Sequence, residues 1–367
     1  MKITGSQRKL YLLALALLMI AVALVCAWTL WGGMEAGSQA LVTPSPEIAP
    51  APTPSPNAHD MDVSAQVETG QEAQKMSTVV YYQDNYGYLV PVMCNVAYQD
   101  GIAKATLQMM VQCPENDMNA ARLGLRTVLP EGTTFDLDIS GGLARIDLSK
   151  EVLNLADAAE ESNMVTAIVQ TLTEFDTVEK VEFLIGGQKR EKLTHGTDIS
   201  CIFERGELNL ETSVTVTDGL EPVMLYFPCE SGNVVVPVTR MVYSDADINT
   251  AVLELAKGPS AQSPLETALP AGCGLIDVTV ENGVAKVNFT NEFARLIENT
   301  DGGRLALKAL VLTCTQFEGV NGVEILVEGQ PYDPGEGTLA VPSFANVASD
   351  IENAYIQTQA SLIFDYE

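Results

Sequence analysis

The stretch VEFLIGGQ, residues 181–188, returns near the end of the chain as VEILVEGQ, residues 323–330. Each follows a phenylalanine, an acidic residue and, two positions later, a valine: FDTV begins at residue 175 and FEGV at residue 317. A short apolar run that ends at glycine is typical of a buried strand. A chain that repeats such a phrase is a candidate for internal duplication.

Five further segments precede this phrase and also occur twice, in the same order. They are a tyrosine-bearing segment with a later VPV, an apolar segment that stops at a proline, an LP-x-G turn, a pair of alternating runs, and a helical apolar stripe. The paired segments are residues 78–92 with 224–238, 103–114 with 248–259, 128–132 with 268–272, 129–149 with 278–293, and 162–175 with 304–317. We therefore interpret the chain as a duplicated domain, and each copy is long enough to have its own core.

Glycine pairs and alternating runs predict the strands of each copy. In copy one, Gly141 and Gly142 separate two alternating runs, and in copy two Asn282 and Gly283 do the same, which is a typical hairpin signal. A first hairpin and the repeated phrase complete the set of strands. The predicted fold class is α+β, with the order β-β-α-β-β-α-β in each copy.

Apolar residues at helical spacing predict two helices in copy one. The first, at residues 103–113, is expected to stop at Pro114, because proline does not continue a helix comfortably. The second, at residues 162–175, opens with Ser162 or Asn163 as its expected cap.

The charge balance excludes one class of partner. Lysine and arginine number 20 against 48 aspartates and glutamates, for a formal net charge of -28. A phosphate backbone is repelled by such a chain. We expect no nucleic-acid partner.

An apolar run lies near the N-terminus. No charged side chain occurs from Leu10 to Trp31, and a helix of that length spans a hydrocarbon core. Basic residues precede the run, and by the positive-inside rule they keep the N-terminus in the cytoplasm. We predict a cytoplasmic tail at residues 1–9, a single transmembrane helix at 10–32, and the bulk of the chain outside the cell membrane.

Two other kinds of leader compete with this anchor. A cleaved signal peptide fits less well, because the apolar run is long and SQA at residues 38–40 is a mediocre cleavage site. A lipoprotein anchored through Cys26 fits less well, because Val25 is bulky where a small residue is expected. Both stay open as less favoured alternatives.

Composition places the remaining boundaries. Residues 33–76 are predicted to form a proline-rich linker, which is either an extended spacer or a disordered tail. Copy one is predicted to span 77–196 and copy two 221–333. The interdomain segment 197–220 contains β-like runs and either lengthens a sheet or links the copies. The C-terminal extension 334–367 contains a helical pattern that either packs on copy two or mediates association.

Residues with metal or catalytic chemistry form no convincing set. Of the seven cysteines, six lie beyond Cys26, and their pairing cannot be read from the sequence. His195, Asp198 and Cys201 are close in sequence, but their spacing is irregular, and we predict no metal site and no cofactor. The six cysteines beyond Cys26 are Cys94, Cys113, Cys201, Cys229, Cys273 and Cys314.

Paired carboxylates offer the alternative of a cell-wall hydrolase. Asp136 with Asp138, or Glu160 with Glu161, supply the two acids that glycoside hydrolysis requires. Neither pair has an equivalent in copy two, so we interpret both as solvated surface. We predict no catalytic residue.

The residues that do recur predict backbone turns and core positions. Proline followed by glycine at a strand entrance is ordinary turn chemistry. The predicted turn residues are Leu129, Pro130, Gly132, Leu269, Pro270 and Gly272. The predicted core residues of the repeat are Phe175, Val181, Leu184, Phe317, Val323 and Leu326. Tyr81, Tyr82 and Tyr226 are expected as half-buried aromatics on first strands.

These repeated segments resemble the GerM domain of sporulation and spore germination proteins. Copy two is the nearer match, with LYF, VPVTR, LAKGPS, LPAG, NGVAKVNFTNEF and VEILVEG in order. Copy one departs at VQCPEN, which lacks the glycine before Pro114, and at VPVMCN, where Met93 and Cys94 replace a polar pair. The resemblance implies tandem small α/β domains, similar to ring-building modules, on the outer face of the membrane of a spore-forming bacterium.

Two functions follow as expectations. The favoured one is a membrane-anchored interaction or assembly module that docks on an envelope or sporulation protein complex through sheet edges or helix faces. The alternative is a peptidoglycan-acting envelope enzyme or its direct regulator. Contact with peptidoglycan and self-association are further expectations about partners.

Overall fold

The structure is a computed structural model that describes residues 75–97, 101–211, 219–231, 233–243, 245–296, 301–332 and 338–353. The predicted transmembrane helix at 10–32 and most of the linker lie outside the described residues. Within the described ranges, no helix is long and apolar enough to cross a membrane.

Copy one contains two hairpins, three α-helices and the strand of the repeated phrase. Its elements are β1 (Lys75–Gln83), β2 (Leu89–Ala97), α1 (Ile102–Gln108), α2 (Pro114–Arg122), β3 (Phe135–Ser140), β4 (Gly142–Leu148), a 3-10 helix (Lys150–Asn154), α3 (Ala158–Leu172) and β5 (Val178–Ile185). Strand β6 (Phe203–Glu204) follows in the interdomain segment.

Copy two repeats this order with a single helix between its hairpins. Its elements are β7 (Glu221–Pro228), β8 (Val235–Val242), α4 (Ile248–Ala256), β9 (Leu275–Glu281), β10 (Val284–Phe289), a 3-10 helix (Asn291–Arg295), α5 (Asp301–Thr315), β11 (Gly322–Val327) and β12 (Gln330–Pro331). Strand β13 (Leu339–Ala340) follows in the C-terminal extension and pairs with β11.

The two copies share one sheet topology. The first hairpin of each, β1–β2 or β7–β8, is a separate two-stranded sheet. The second sheet runs β3-β4-β5-β6 in copy one and β9-β10-β11-β12 in copy two, and the strand of the repeated phrase pairs in parallel with its neighbour after a helical crossover. Strands β3 and β9 are therefore the equivalent ends of the two sheets.

Two helix starts in copy one differ from the sequence prediction. Pro114 does not end a helix but begins α2 as its first residue, where its fixed φ suits the helix and its missing N–H is not needed. Helix α3 begins at Ala158, and its cap is Asp157, whose carboxylate accepts a hydrogen bond from the N–H of Glu160. Ser162 and Asn163 lie inside this helix, so the predicted cap was wrong.

A buried threonine connects the long helix of each copy to its first hairpin. The N–H of Tyr81 donates to Thr171 Oγ1 at 3.3 Å, and the N–H of Tyr226 donates to Thr313 Oγ1 at 3.2 Å. Both threonines are fully buried. The recurrence of this contact shows that duplication preserved side-chain packing as well as element order.

The segments outside the two copies also take part in the fold. Phe203 and Glu204 form β6, which pairs with β5, so this part of the interdomain segment lengthens a sheet. Residues 212–218 lie outside the described residues. In the C-terminal extension Asn346 is fully buried, and its carbonyl accepts a hydrogen bond from the N–H of Met93 in copy one. The extension thus packs on copy one as well as copy two.

The two copies meet at strands β2 and β8. Each of these strands carries a proline near its middle, Pro91 or Pro237, which has no N–H to donate to a neighbouring strand. No ladder joins these two described strands. The side chains of Asn209 and Asn346 bridge them instead, each bonding to a carbonyl of both strands.

Candidate functional site: the cleft between the copies

The loop of the first hairpin of copy one projects two tyrosines toward copy two. Asp84 Oδ1 accepts hydrogen bonds from the N–H groups of Tyr86 and Tyr88, at 2.9 and 2.8 Å, which folds the loop tightly. The hydroxyl of Tyr86 donates to Glu230 Oε2 at 2.5 Å, and that of Tyr88 lies 3.0 Å from Ser263 Oγ. These contacts hold the loop against copy two.

A cleft of about 720 Å³ opens beside these tyrosines. It is lined by helix α3 of copy one, by the segment after α4 in copy two and by the interdomain segment. The polar residues that line it include Tyr86, Ser162, Thr166, Glu207, Gln262 and Ser263. The cleft exists only because both copies are present.

The electrostatics of the cleft are acidic. None of the residues that line it in the described part of the chain is a lysine, arginine or histidine. Of its two carboxylates, Glu211 is nearly buried and accepts hydrogen bonds from Arg240 Nε and Nη2 at 2.7 and 3.0 Å. Glu207 is exposed.

Arg240 is the centre of a nearly buried ion cluster. It also donates to Glu254 Oε2 at 3.1 Å and to the carbonyl of Gly258 at 2.9 Å. Burial by itself lowers the pKa of Arg240, but the carboxylates of Glu211 and Glu254 outweigh it, and the pKa is raised overall. The cluster fixes the interdomain segment to copy two.

Two of the three tyrosines of the first strands, Tyr81 and Tyr82, are more buried than expected. Tyr81 and Tyr82 are each 2% exposed, and Tyr226 is half-buried. The hydroxyl of Tyr81 donates to Glu174 Oε1 at 2.8 Å and accepts from Arg205 Nη2 at 2.7 Å. Burial, and then the Glu174 carboxylate, raise the pKa of Tyr81 well above its ordinary value. These aromatics serve packing.

The predicted turn residues lie away from the cleft at equivalent places in the two copies. Gly132 and Gly272 have φ values of 78° and 80°, in the left-handed region that favours glycine. Leu129 and Leu269 are buried, and Pro130 and Pro270 are half-buried.

The predicted core residues divide between two faces of their strands. Val181 and Val323 are fully buried, whereas Leu184 and Leu326 are half-buried. Side chains alternate along a strand, so the inward neighbours of the two leucines are Phe183 and Ile325, both buried. Phe175 and Phe317 are partly buried and pack against the core.

The carboxylate pairs have separate structural roles. Asp136 is exposed and lies 3.3 Å from Lys104. Glu160 accepts from the N–H of Ala156 at 3.1 Å. Glu161 is fully buried and accepts from the N–H groups of His195 and Thr197, which contradicts its assignment to solvated surface. The sequence carried no local signal for this contact, because its partners lie 34 and 36 positions away.

The metal candidate of the sequence is not assembled. Cys201 is exposed, and the ring of His195 lies 2.7 Å from the carbonyl of Leu155 through Nε2. Among the described residues, no group of three or more histidine, cysteine or acidic side chains is placed to hold a metal ion.

Comparisons with known proteins agree with the duplication. The Germane family, described as sporulation and spore germination, matches residues 79–191 and 224–333. The chain is 31% identical over 282 residues to the "Spore germination protein GerM" of Bacillus subtilis (strain 168), across 73% of this chain and 76% of that protein. The match therefore extends beyond either copy alone.

A solved structure is similar over the same region. The "Tandem GerMN domains of the sporulation protein GerM from Bacillus subtilis" shares 30% identity and a TM-score of 0.61, and the match covers 75% of this chain and 99% of that one. This likeness confirms the mixed α+β fold with two tandem domains.

Proposed function

The chain belongs to the Germane family of sporulation and spore germination proteins, and on that premise we propose that it is a membrane-anchored, extracytoplasmic module that docks on an envelope protein complex during sporulation or germination. The apolar run at residues 10–32 supports the anchor. The likeness of each copy to ring-building modules belongs to the same proposal and is supported by the shared order of strands and helices.

The docking proposal rests on one observation. In each copy, the corresponding strand, β3 or β9, lies at the edge of the second sheet. Among the described residues, strands β3 and β9 each pair with one strand only, β4 or β10. Strand β9 contains no proline, and Ile276 and Val280 on it are each 47% exposed. Ile139 on β3 is 36% exposed. An open edge with exposed apolar side chains is suited to pairing with a strand of another protein.

The turn between β9 and β10 shows which backbone N–H groups of β9 point away from β10, toward the open edge of the sheet. Asn282 and Gly283 both have positive φ, and Glu281 pairs with Val284 across this two-residue turn. In such hairpins the closing pair is hydrogen-bonded, and bonding alternates along the strand. The N–H groups of Val278 and Val280 therefore point to the open edge.

The charge of the chain indicates the chemistry of the partner. With a net charge of -28, the protein attracts basic segments and repels acidic ones. The occupant that we propose is an extended, basic segment of an envelope protein, which adds a strand beside β9 and in the same way beside β3.

Crosslinking in cells tests this proposal. A photo-reactive residue is placed at Thr279 of the full chain in sporulating cells, and the captured protein and its crosslinked segment are identified by mass spectrometry. We expect an extended basic segment of an envelope protein. We expect Val280→Pro to abolish capture, since it removes an outward N–H and leaves the β10 ladder intact.

Val280→Thr is the matched control, because it keeps the outward N–H. Equal capture by Val280→Pro and the wild type, or crosslinks to an acidic segment, would overturn the docking proposal. The hydrolase alternative is not proposed, because Glu207 is the single carboxylate of the described cleft that is not already paired with an arginine.

A further inference from the structure

We propose that the cleft between the two copies is a binding site for a neutral oligosaccharide. The inference goes beyond the proposed function and rests on it in one respect, the position of the folded part of the chain outside the cell membrane. It concerns a different surface from strands β3 and β9, so the two proposals are tested by separate variants.

The size and position of the cleft suit a ligand of several rings. Its volume of about 720 Å³ falls within the range of about 300–1,000 Å³ that is typical of small-molecule sites. Helix α3 of copy one and residues 260–264 of copy two form its two sides. A ligand here contacts both copies at once.

The walls offer hydrogen-bonding groups that the protein does not use. Ser162 and Thr166 lie one helical turn apart on α3, and Gln262 of copy two lines the same cleft. Among the described residues, the side chains of these three and of Glu207 make no hydrogen bond to the protein. Hydroxyl, amide and carboxylate groups together supply donors and acceptors, as a ligand with many hydroxyl groups requires.

An aromatic ring is fixed at the mouth of the cleft. Tyr86 is 57% exposed, and its hydroxyl is held by Glu230 at 2.5 Å. The ring is therefore oriented before any ligand arrives. A sugar ring has a face of C–H groups that packs on the flat apolar face of an aromatic side chain, while its hydroxyls reach the polar walls.

The charge of the cleft selects against anions. No basic side chain lines the described cleft, and the nearby Arg240 is already paired with Glu211 and Glu254. A phosphate or carboxylate ligand meets no cation and is repelled by Glu207. A neutral ligand is not repelled by Glu207.

Ligand-detected NMR on the full chain in detergent micelles tests the site, with the neutral trisaccharide tri-N-acetylchitotriose as probe. We expect saturable binding by the wild type. Tyr86→Ala and Gln262→Ala are expected to weaken it at least about tenfold, which corresponds to about 1.4 kcal/mol. Tyr86→Phe is expected to bind more tightly than Tyr86→Ala, because it keeps the ring and loses only the hydroxyl that Glu230 holds.

Controls keep the outcome decisive. Ser349→Ala, an exposed hydroxyl on the C-terminal extension, and Val280→Pro, on the docking edge, are expected to leave sugar binding unchanged. Thermal unfolding of each variant shows whether it is folded. No saturable binding by the folded wild type, equal binding by Tyr86→Ala, or binding only of the cationic, deacetylated trisaccharide would each overturn the inference. Failure of the wild type to capture an envelope protein, with sugar binding retained, would overturn the proposed function alone.

Discussion

Asn209 and Asn346 make the same three side-chain hydrogen bonds on opposite sides of the junction between the copies. Asn209 Oδ1 accepts from the N–H of Leu89 at 2.8 Å, and its Nδ2 donates to the carbonyls of Leu89 and Pro237 at 2.8 and 2.7 Å. Asn346 repeats this pattern with Val235 and Pro91, at 2.9, 2.9 and 3.0 Å. The amide side chains thus replace the ladder that the two prolines prevent.

The asparagine bridges predict a large loss of stability on truncation. Asn346→Ala leaves the N–H of Val235 and two buried carbonyls without partners, and we expect the free energy of unfolding to fall by about 3 kcal/mol. Asn209 is half-buried, and Asn209→Ala is expected to cost about 2 kcal/mol. Urea unfolding followed by circular dichroism measures both. Asn95→Ala, at an exposed position, is the control, and losses no larger than the control's would contradict the role of the bridges.

The ion cluster of Arg240 predicts a second large effect. Its side chain is 13% exposed, and those of Glu211 and Glu254 are 8% and 14% exposed. Arg240→Ala leaves the nearly buried carboxylate of Glu211 without a cation, whereas Glu254 keeps its ion pair with Lys257, so we expect a loss of about 3 kcal/mol in urea unfolding.

The exposed pair of Lys104 and Asp136 supplies the control for that experiment. Lys104→Ala is expected to cost about 0.5 kcal/mol or less, because solvent screens an exposed pair. Similar losses for Arg240→Ala and Lys104→Ala would show that the Arg240 cluster does not stabilise the fold.

Asp84 predicts a pH dependence of stability. Burial raises the pKa of its carboxyl, against the opposing effect of the N–H groups that bond to Oδ1 and of Arg126. Within the described residues its Oδ2 has no hydrogen-bond partner. Because the folded pKa lies above the unfolded one, the contribution of Asp84 is fully favourable below the unfolded pKa and is lost as the pH rises through the folded pKa.

The measurement compares the wild type with Asp84→Asn, whose side chain does not ionise. In urea unfolding between about pH 3 and pH 7, we expect the wild type to lose stability relative to this variant as the pH rises. Asp136→Asn, at a side chain that is 91% exposed, controls for the general effect of charge removal. A difference that stays constant or reverses with rising pH would refute the assignment.

The cysteines predict an order of reactivity. Cys201 is exposed, whereas Cys94, Cys273 and Cys314 are buried. Burial raises the pKa of Cys94 and Cys273 to about 11 and that of Cys314 to about 12, so few of these thiols are ionised at neutral pH. We expect a thiol reagent to label Cys201 first and the buried three only on unfolding. Peptide mapping by mass spectrometry checks this order, and early labelling of Cys314 would contradict it.

The departures of copy one from the family pattern have a physical meaning in the structure. Cys94 occupies the place in β2 that Arg240 occupies in β8. Copy two therefore carries the ion cluster, and copy one carries a buried thiol at the equivalent position. The sequence contained both residues, but the partners of Arg240 lie 14 and 29 positions away and could not be identified from spacing.

The sequence by itself determined the duplication, the mixed α+β class and the family, because these depend on local periodicity, turn residues and a phrase that recurs, but it did not predict helix α2 of copy one. Only the tertiary structure decided the burial of Glu161, the asparagine bridges and the cleft. These depend on contacts between residues far apart in the chain, up to the 255 positions that separate Pro91 from Asn346. The local sequence around a polar residue is the same whether its side chain bonds to water or to a distant backbone group. Its hydrogen-bond partners can therefore be identified only in the folded structure, where the two copies pack together.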